Sequence, residues 1–311
     1  MYKDHRIAVI LPAHNEARLI GQTIKTTPEF VDHVIVVDDC SKDETLQVAL
    51  ASGDSRVTSL QTPYNQGVGG AMTLGYSKAI ELSADIVVKM DGDGQMPPEH
   101  LPRLLDAITD QGFDYAKGNR FLVSKSLSDM PKDRLFGSIV LTFMNKLASG
   151  YWNVFDPQNG YTAVRTTALK VLDLEAIHKR YFFENDMLCQ LNYHSFRVKD
   201  VGIPARYGEE ESGLNPFKIS LTFPFLLLRR FIRRVYHRYI LIDFSPIALF
   251  LIAGALLFLW GMLFGIIIWV HSIITGRPTL TGTIMLALLP LILGFQLLLQ
   301  AMVLDIHETP K

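Results

Sequence analysis

The stretch from Phe244 to Ile274 contains no aspartate, glutamate, lysine or arginine. It exceeds the ~20 residues that an α-helix needs to cross a bilayer. After a turn with Gly276 and Pro278, a second apolar run extends from Ile284 to Val303. Its Pro290 and Gly294 are residues that membrane helices tolerate. Two such runs in succession predict two spans rather than a pair of buried core helices. Just before them, Phe217 to Tyr239 mixes Phe, Leu and Ile with Arg229, Arg230, Arg233, Arg234 and Arg238. That mixture predicts an amphipathic interface helix whose arginines reach lipid headgroups and attract an anionic lipid. An arginine cluster ahead of the first span places both termini in the cytoplasm.

The remaining two thirds of the 311 residues are enough for a substantial globular domain. Net charge is −1, which argues against a nucleic-acid binder. Cys40 and Cys189 are the only cysteines, so there is no disulfide framework. Met1 to Ile10 does not look like a signal peptide. Short apolar runs at Ile7–Leu11, His33–Val37, Val57–Leu60, Ile86–Met90, Phe113–Lys117 and Val201–Pro204 alternate with helical patterns. This alternation predicts a mostly parallel sheet covered by helices on both faces. Ligands of such sheets gather at the carboxyl ends of the strands. Pro12 to Glu16, Asp38-Asp39, Asp91 to Gln95 and Gly118 to Arg120 all fall at such ends. Ser41 and Asp43 are placed to cap the helix that follows.

The sharpest of these clusters is I-V-V-K-M-D-G-D-G-Q, Ile86 to Gln95. Asp91 and Asp93, two apart on an extended chain, would point the same way. Two such close like charges favour a cation between them, and hard oxygen ligands suit Mg²⁺ or Mn²⁺. From this stretch alone, a polar Asp-Gly turn is an equally good reading. Gly67-Val68-Gly69-Gly70 lacks the lysine and serine of a nucleotide phosphate cradle. Close packing of helix on sheet is the better reading there.

L-P-A-H-N-E at Leu11 to Glu16, V-V-D-D-C-S-K-D at Val36 to Asp43, N-Q-G-V-G-G-A at Asn65 to Ala71 and M-D-G-D-G-Q at Met90 to Gln95 resemble family 2 glycosyltransferases. More narrowly they resemble polyprenyl-phosphate sugar transferases, of the dolichol-phosphate mannose synthase and undecaprenyl-phosphate glucosyltransferase types. The resemblance covers residues 5–215. It implies an α/β fold: a glycosyltransferase A-type Rossmann-like sheet with a C-terminal amphipathic helix and two transmembrane helices. The implied domains are a cytoplasmic catalytic domain (1–215), an interface helix region (216–242) and a two-span domain (243–311).

The same resemblance implies residue roles. Pro12, Asn15, Glu16, Asp38, Asp39, Asp91, Gly92 and Arg206 would bind a nucleotide sugar. Asp91, Asp93 and Gln95 would hold Mg²⁺ or Mn²⁺, neutralising the departing nucleoside diphosphate. Arg120, Arg134 and Ser138 would bind an acceptor phosphate, guanidinium forks matching phosphate oxygens; for Arg134 a solvated surface arginine is the plain alternative. Asp156 to Tyr161 resembles the D-x-x-S-G-F segment, with Asn159 in place of serine. Asp93, Arg120, Glu184 and Asp186 are the expected catalytic residues. A phosphate acceptor is largely a dianion at neutral pH, so Asp186 is expected to orient rather than deprotonate, with Glu184 its rival. Either acid would also serve simply as a helix N-terminal charge. Relatives carry R-x-x-G-x-S-K near Arg206; here Gly213 follows Ser212, so no lysine is in that place.

The implied reaction is inverting transfer of one sugar, from UDP-glucose first and GDP-mannose next, to a polyprenyl phosphate at the cytoplasmic membrane face. Two alternatives stand beside it: a processive polysaccharide synthase, and a catalytically silent membrane scaffold. The first normally carries more spans and Q-x-x-R-W, both absent here. The second fits poorly with intact Asp91, Asp93 and Arg120. Two-span relatives are often tetramers, which makes a homotetramer the oligomer to look for.

Overall fold

The computed structural model describes residues 1–123, 132–204 and 216–310, with the side chains of 132–136, 138 and 216–221 left aside. The chain divides into two compact units, Met1–Phe231 and Ile232–Thr309.

The first unit is a seven-stranded sheet in the order β3-β2-β1-β4-β6-β5-β7. The strands are β1 (Ile7–Ala13), β2 (His33–Asp38), β3 (Val57–Gln61), β4 (Ile86–Lys89), β5 (Tyr115–Asn119), β6 (Thr162–Arg165) and β7 (Val198–Gly202). β1 pairs in parallel with β2 and β4, and β2 with β3. β6 runs antiparallel between β4 and β5, and β7 closes the far edge parallel to β5. The sheet is thus mostly parallel, as the alternation predicts. The insertion of β6 is new, and the last strand begins at Val198 rather than Val201.

Period-two alternation distributes β1 over two cores. Ala8 and Ile10 join a cluster with Met72 and Tyr76 of α3 (Val68–Glu81) and Met187, Leu188 and Leu191 of α7 (Phe183–Tyr193). Ile7, Val9 and Leu11 join the opposite cluster with Ile20 and Ile24 of α1 (Ile20–Thr26) and Leu104, Leu105 and Ile108 of α4 (Leu101–Thr109). Each buried aliphatic chain contributes about 1.5–3 kcal/mol. Three further helices lie between these: α2 (Thr45–Leu50), α5 (Lys132–Ser149) and α6 (Thr166–Leu169). Helix α8 (Pro216–Tyr236) brings Phe223 and Leu227 into a third cluster with Ala148, Phe182 and Cys189.

Gly67 to Gly70 packs closely, but against a loop instead of the sheet. Gly67 has φ +83°, and a Cβ on Gly69 would sit 2.2 Å from the His178 carbonyl oxygen. The Gly70 amide donates to the Lys179 carbonyl.

The second unit contains the end of α8, a π-helical segment (His237–Ile242), α9 (Pro246–Thr275) and α10 (Thr281–His307). Both long helices are apolar and long enough to cross a membrane. Their large side chains face outward: Leu256, Trp269 and Ile274 are 66%, 69% and 78% exposed. A soluble core helix would bury them. Where α9 and α10 meet, glycine lets backbone touch backbone. A Cβ on Gly261 would lie 2.6 Å from the Ala287 carbonyl oxygen, and one on Gly294 would lie 2.4 Å from the Phe258 nitrogen. Arg234 is fully buried and forks onto Asp305 at 2.6 and 3.0 Å; Tyr239 donates to the same carboxylate. Three of the five arginines read as headgroup ligands are therefore committed to protein: Arg234; Arg238, which donates to the Glu308 carbonyl at 2.9 Å; and Arg230 in the first unit, which donates to Asp186. Arg229 and Arg233 stay exposed.

Candidate active site at the carboxyl edge of the sheet

The loops after β1 and β2 are stitched together by their own polar groups. Asn15 donates its amide to Ser41 Oγ and accepts from the Lys42 amide; the Glu16 amide donates to Thr45 Oγ1. Pro12 is still within β1, paired with Val37. Asp38 is buried and accepts from Gln61 Nε2 at 2.9 Å. Asp39 accepts from Thr62 Oγ1 and from the amides of Gln66 and Gly67 at 2.8, 2.8 and 2.6 Å. Both aspartates therefore shape this rim through protein contacts, and Asp39 anchors the glycine segment. Ser41 and Asp43 serve the same seam: Asp43 accepts from the Ala17 and Thr45 amides.

β4 ends at Lys89, so Asp91 and Asp93 stand on the turn beyond it rather than on extended chain. The extended chain from which a common orientation is expected therefore stops short of them. Asp93 Oδ1 accepts from the Gln95 amide at 2.9 Å, and Thr23 Oγ1 donates to the Gly92 carbonyl. A cavity of about 590 Å³ lies against Asp93 and Gly94, walled by Gln22, Thr23 and Glu99. Asp91 Oδ1 receives the Lys89 ammonium at 2.7 Å, and the same ammonium is 3.3 Å from Glu184 Oε1. Burial would drive Lys89 toward neutrality, but the Asp91 and Glu184 charges outweigh it and raise its pKa.

Next along the rim, Arg120 sits at the end of β5. Its Nε and Nη2 fork onto Asp156 at 2.8 and 3.0 Å, and its own amide donates there too. Burial pushes the Asp156 carboxyl up, yet the hydrogen bond from Arg120 and the Lys117 and Arg120 charges hold it below the usual range. Lys117 is fully buried, donates to the Asn159 carbonyl at 2.6 Å, and is lowered by that burial to about 8. Asn119 Nδ2 donates to Asp200.

The two acids of α7 part company. Glu184 faces Lys89. Asp186, wholly buried, accepts from the His178 amide at 2.8 Å and pairs with Arg230 of α8. Its burial outweighs Arg230 and raises its pKa. Among the expected site residues, Asp91 and Glu184 are joined through Lys89, Asp93 and Gln95 through one hydrogen bond, and Arg120 is placed with Asp156. Asp186 goes to α8. Arg134, Ser138 and Arg206 lie outside the described side chains. Lys89, Lys117 and Asp156 were not among the expected site residues. The available signal was a lysine inside an otherwise apolar strand pattern, I-V-V-K-M and Y-A-K-G-N.

Among the described residues, no three His, Cys, Asp or Glu side chains gather as an all-protein metal cage. Two carboxylates and an amide on one tight turn are an all-oxygen set. They fit a hard divalent cation that keeps positions open for other oxygens.

Residues 8–172 match the family model Glycosyl transferase family 2. A UDP-N-acetylglucosamine–dolichyl-phosphate N-acetylglucosaminyltransferase of Methanococcus voltae is 31% identical over 221 residues, 66% of this chain and 88% of that protein. A polyprenol monophosphomannose synthase of Mycolicibacterium smegmatis is 32% identical over 219 residues, 68% and 80% of the two chains. A solved structure of glucosyl-3-phosphoglycerate synthase from Mycobacterium tuberculosis, in complex with Mn²⁺, UDP and glucosyl-3-phosphoglycerate, shares the fold. Its TM-score is 0.56 at 21% identity, over 74% of this chain and 80% of that one. On its matched domain, its relatives and its sheet, the chain belongs to glycosyl transferase family 2.

Proposed function

We propose that the chain transfers one sugar, with inversion, from a nucleoside diphosphate sugar to a polyprenyl phosphate, giving a β-linked lipid phosphosugar. The observation that carries this reading is the rim itself. Paired acids on the turn after β4 and a forked arginine after β5 share one sheet edge, in a chain that also bears two membrane-length apolar helices. The relatives from M. voltae and M. smegmatis, named for dolichyl-phosphate and polyprenol substrates, support the lipid acceptor.

Pro12, Asn15, Glu16, Asp38, Asp39 and Gly92 form the donor rim, and Arg206 is assigned to the donor with them by the family resemblance. Asp91, Asp93 and Gln95 would hold Mg²⁺ or Mn²⁺, which when bound supplies positive charge opposite the departing diphosphate. The chain's own groups do the rest. Arg120, fixed by Asp156, meets the acceptor phosphate with Arg134 and Ser138. A phosphate oxygen bonds to the anomeric carbon as the bond to the nucleoside diphosphate breaks, and the electron pair leaves with that diphosphate. The phosphate dianion brings no proton to remove, so orientation is the main demand. Glu184 holds Lys89, and Asp186 positions α7 through Arg230. Residues 1–215 form the cytoplasmic catalytic domain, and a homotetramer is the expected assembly.

The test supplies labelled UDP-glucose, GDP-mannose and UDP-N-acetylglucosamine singly to purified protein with undecaprenyl or dolichyl phosphate. UDP-glucose heads the expected order and GDP-mannose follows. A lipid phosphosugar in the organic phase is the expected product. Polymer, or no lipid product from any pair, overturns the proposal.

A further inference from the structure

Lys89 stands out on β4. Its neighbours Ile86, Val87 and Val88 are aliphatic and fully buried, and its own side chain is only 2% exposed. An aliphatic residue would fill this place without the cost of burying an ammonium. The space for that ammonium is built by the backbone before β6. A Cβ on Gly160 would lie 2.3 Å from Lys89 Nζ and 3.2 Å from Asp91 Oδ2. Two carboxylates from separate elements close on it, Asp91 at 2.7 Å and Glu184 at 3.3 Å. Of the two Asp91 oxygens, Oδ1 is therefore taken by protein.

We propose that Lys89 is a positioning residue that holds Asp91 by one oxygen and makes cation binding at the Asp91–Asp93 turn depend on a nucleoside diphosphate. The inference rests on the metal assignment above. A divalent cation sharing Asp91 lies close to a fixed positive charge that has no room to withdraw. Their repulsion disfavours the cation alone. A diphosphate brings negative charge and further oxygen ligands, which reverses the balance. The turn thus selects the cation–nucleotide complex over the free cation, and an empty donor site does not retain metal.

The experiment measures Mn²⁺ binding to the full-length protein in detergent by electron paramagnetic resonance, with no nucleotide, with UDP and with GDP. The wild type is expected to bind Mn²⁺ at least about tenfold more tightly with one of the nucleotides than without. The double variant K89M/E184Q removes the ammonium together with one counter-charge, so the buried charge stays balanced. It is expected to bind Mn²⁺ alone more tightly than the wild type and to shrink the ratio to about threefold or less. E184Q alone leaves the ammonium wholly on Asp91 and is expected to widen the ratio. A purely structural role for Lys89 would weaken binding in every variant and raise it in none. Wild-type ratios in both variants overturn the role of Lys89 while leaving the metal assignment intact. If the wild type binds no Mn²⁺ with either nucleotide, the metal assignment fails and the inference with it. If the double variant does not fold, an unchanged ratio in E184Q is sufficient to overturn it.

Discussion

Lys89 in the sheet unit and Arg234 in the helical unit are both buried cations, yet they are partnered in different ways. Arg234 meets Asp305 through two parallel hydrogen bonds, and Tyr239 adds a third to the same carboxylate. Every charge in that cluster is answered inside the protein. Lys89 is shared between Glu184, which is buried, and Asp91, whose side chain stays about a third exposed at 32%. One cluster is closed on itself, and the other keeps an acid turned toward the rim. A closed ion pair fixes helices; an open one holds a ligand group in place for something that arrives later.

The comparison can be broken first at the rim. D91N or D93N should cut transfer by about a thousandfold or more, because the charge opposing the departing diphosphate is lost. The thermal unfolding midpoint should barely move in D93N, whereas D91N should lower it, because the buried Lys89 loses its nearer counter-charge. Near-wild-type transfer in either variant would remove the rim acids from the chemistry. The closed cluster should behave in the opposite sense. R234M or D305N alone should cost about 3–5 kcal/mol of stability, since each strands a buried charge, and R234M/D305L should regain most of it. Unfolding in detergent measures this, and additive losses would show that the two residues are not a unit.

A smaller effect is expected at Asp186. D186N leaves the shape of the contact with Arg230 but removes its charge, so transfer should fall about tenfold, well short of the rim variants. A loss as deep as D91N would return Asp186 to a direct role in proton transfer. The mildest test concerns Lys117. Its pKa of about 8 lies below the unfolded value, so the folded state binds fewer protons and stability rises as pH climbs from about 8 toward 10.5. K117M should lose that rise, read as a flat wild-type-minus-mutant comparison only if Lys117 is in fact unperturbed.

Much of this organisation was legible in the sequence, for identifiable reasons. β1, β2 and β4 are continuous aliphatic runs that end in polar clusters, and the two long apolar helices carry no competing charge pattern. What escaped was whatever depends on distant chain. β6 is four residues, T-A-V-R, too short for its periodicity to speak, and its antiparallel place is set by β4 and β5. Glu184 and Asp186 share one helical turn and look equivalent locally. They are separated by the partners that tertiary structure brings, Lys89 from the sheet and Arg230 from α8. The arginines of α8 were read by composition as a lipid-facing set, and composition carries no trace of the Asp305 that claims one of them 71 residues later.

The glycine seam between α9 and α10 has a mechanical consequence. Gly254, Gly261 and Gly294 bring the two main chains within touching distance, leaving no cushion of side chain between them. Sliding one rod along the other, or rolling it, would drive a carbonyl into its neighbour. The hairpin therefore behaves as a single stiff post, and even one added methyl at Gly261 would act as a wedge that splays it.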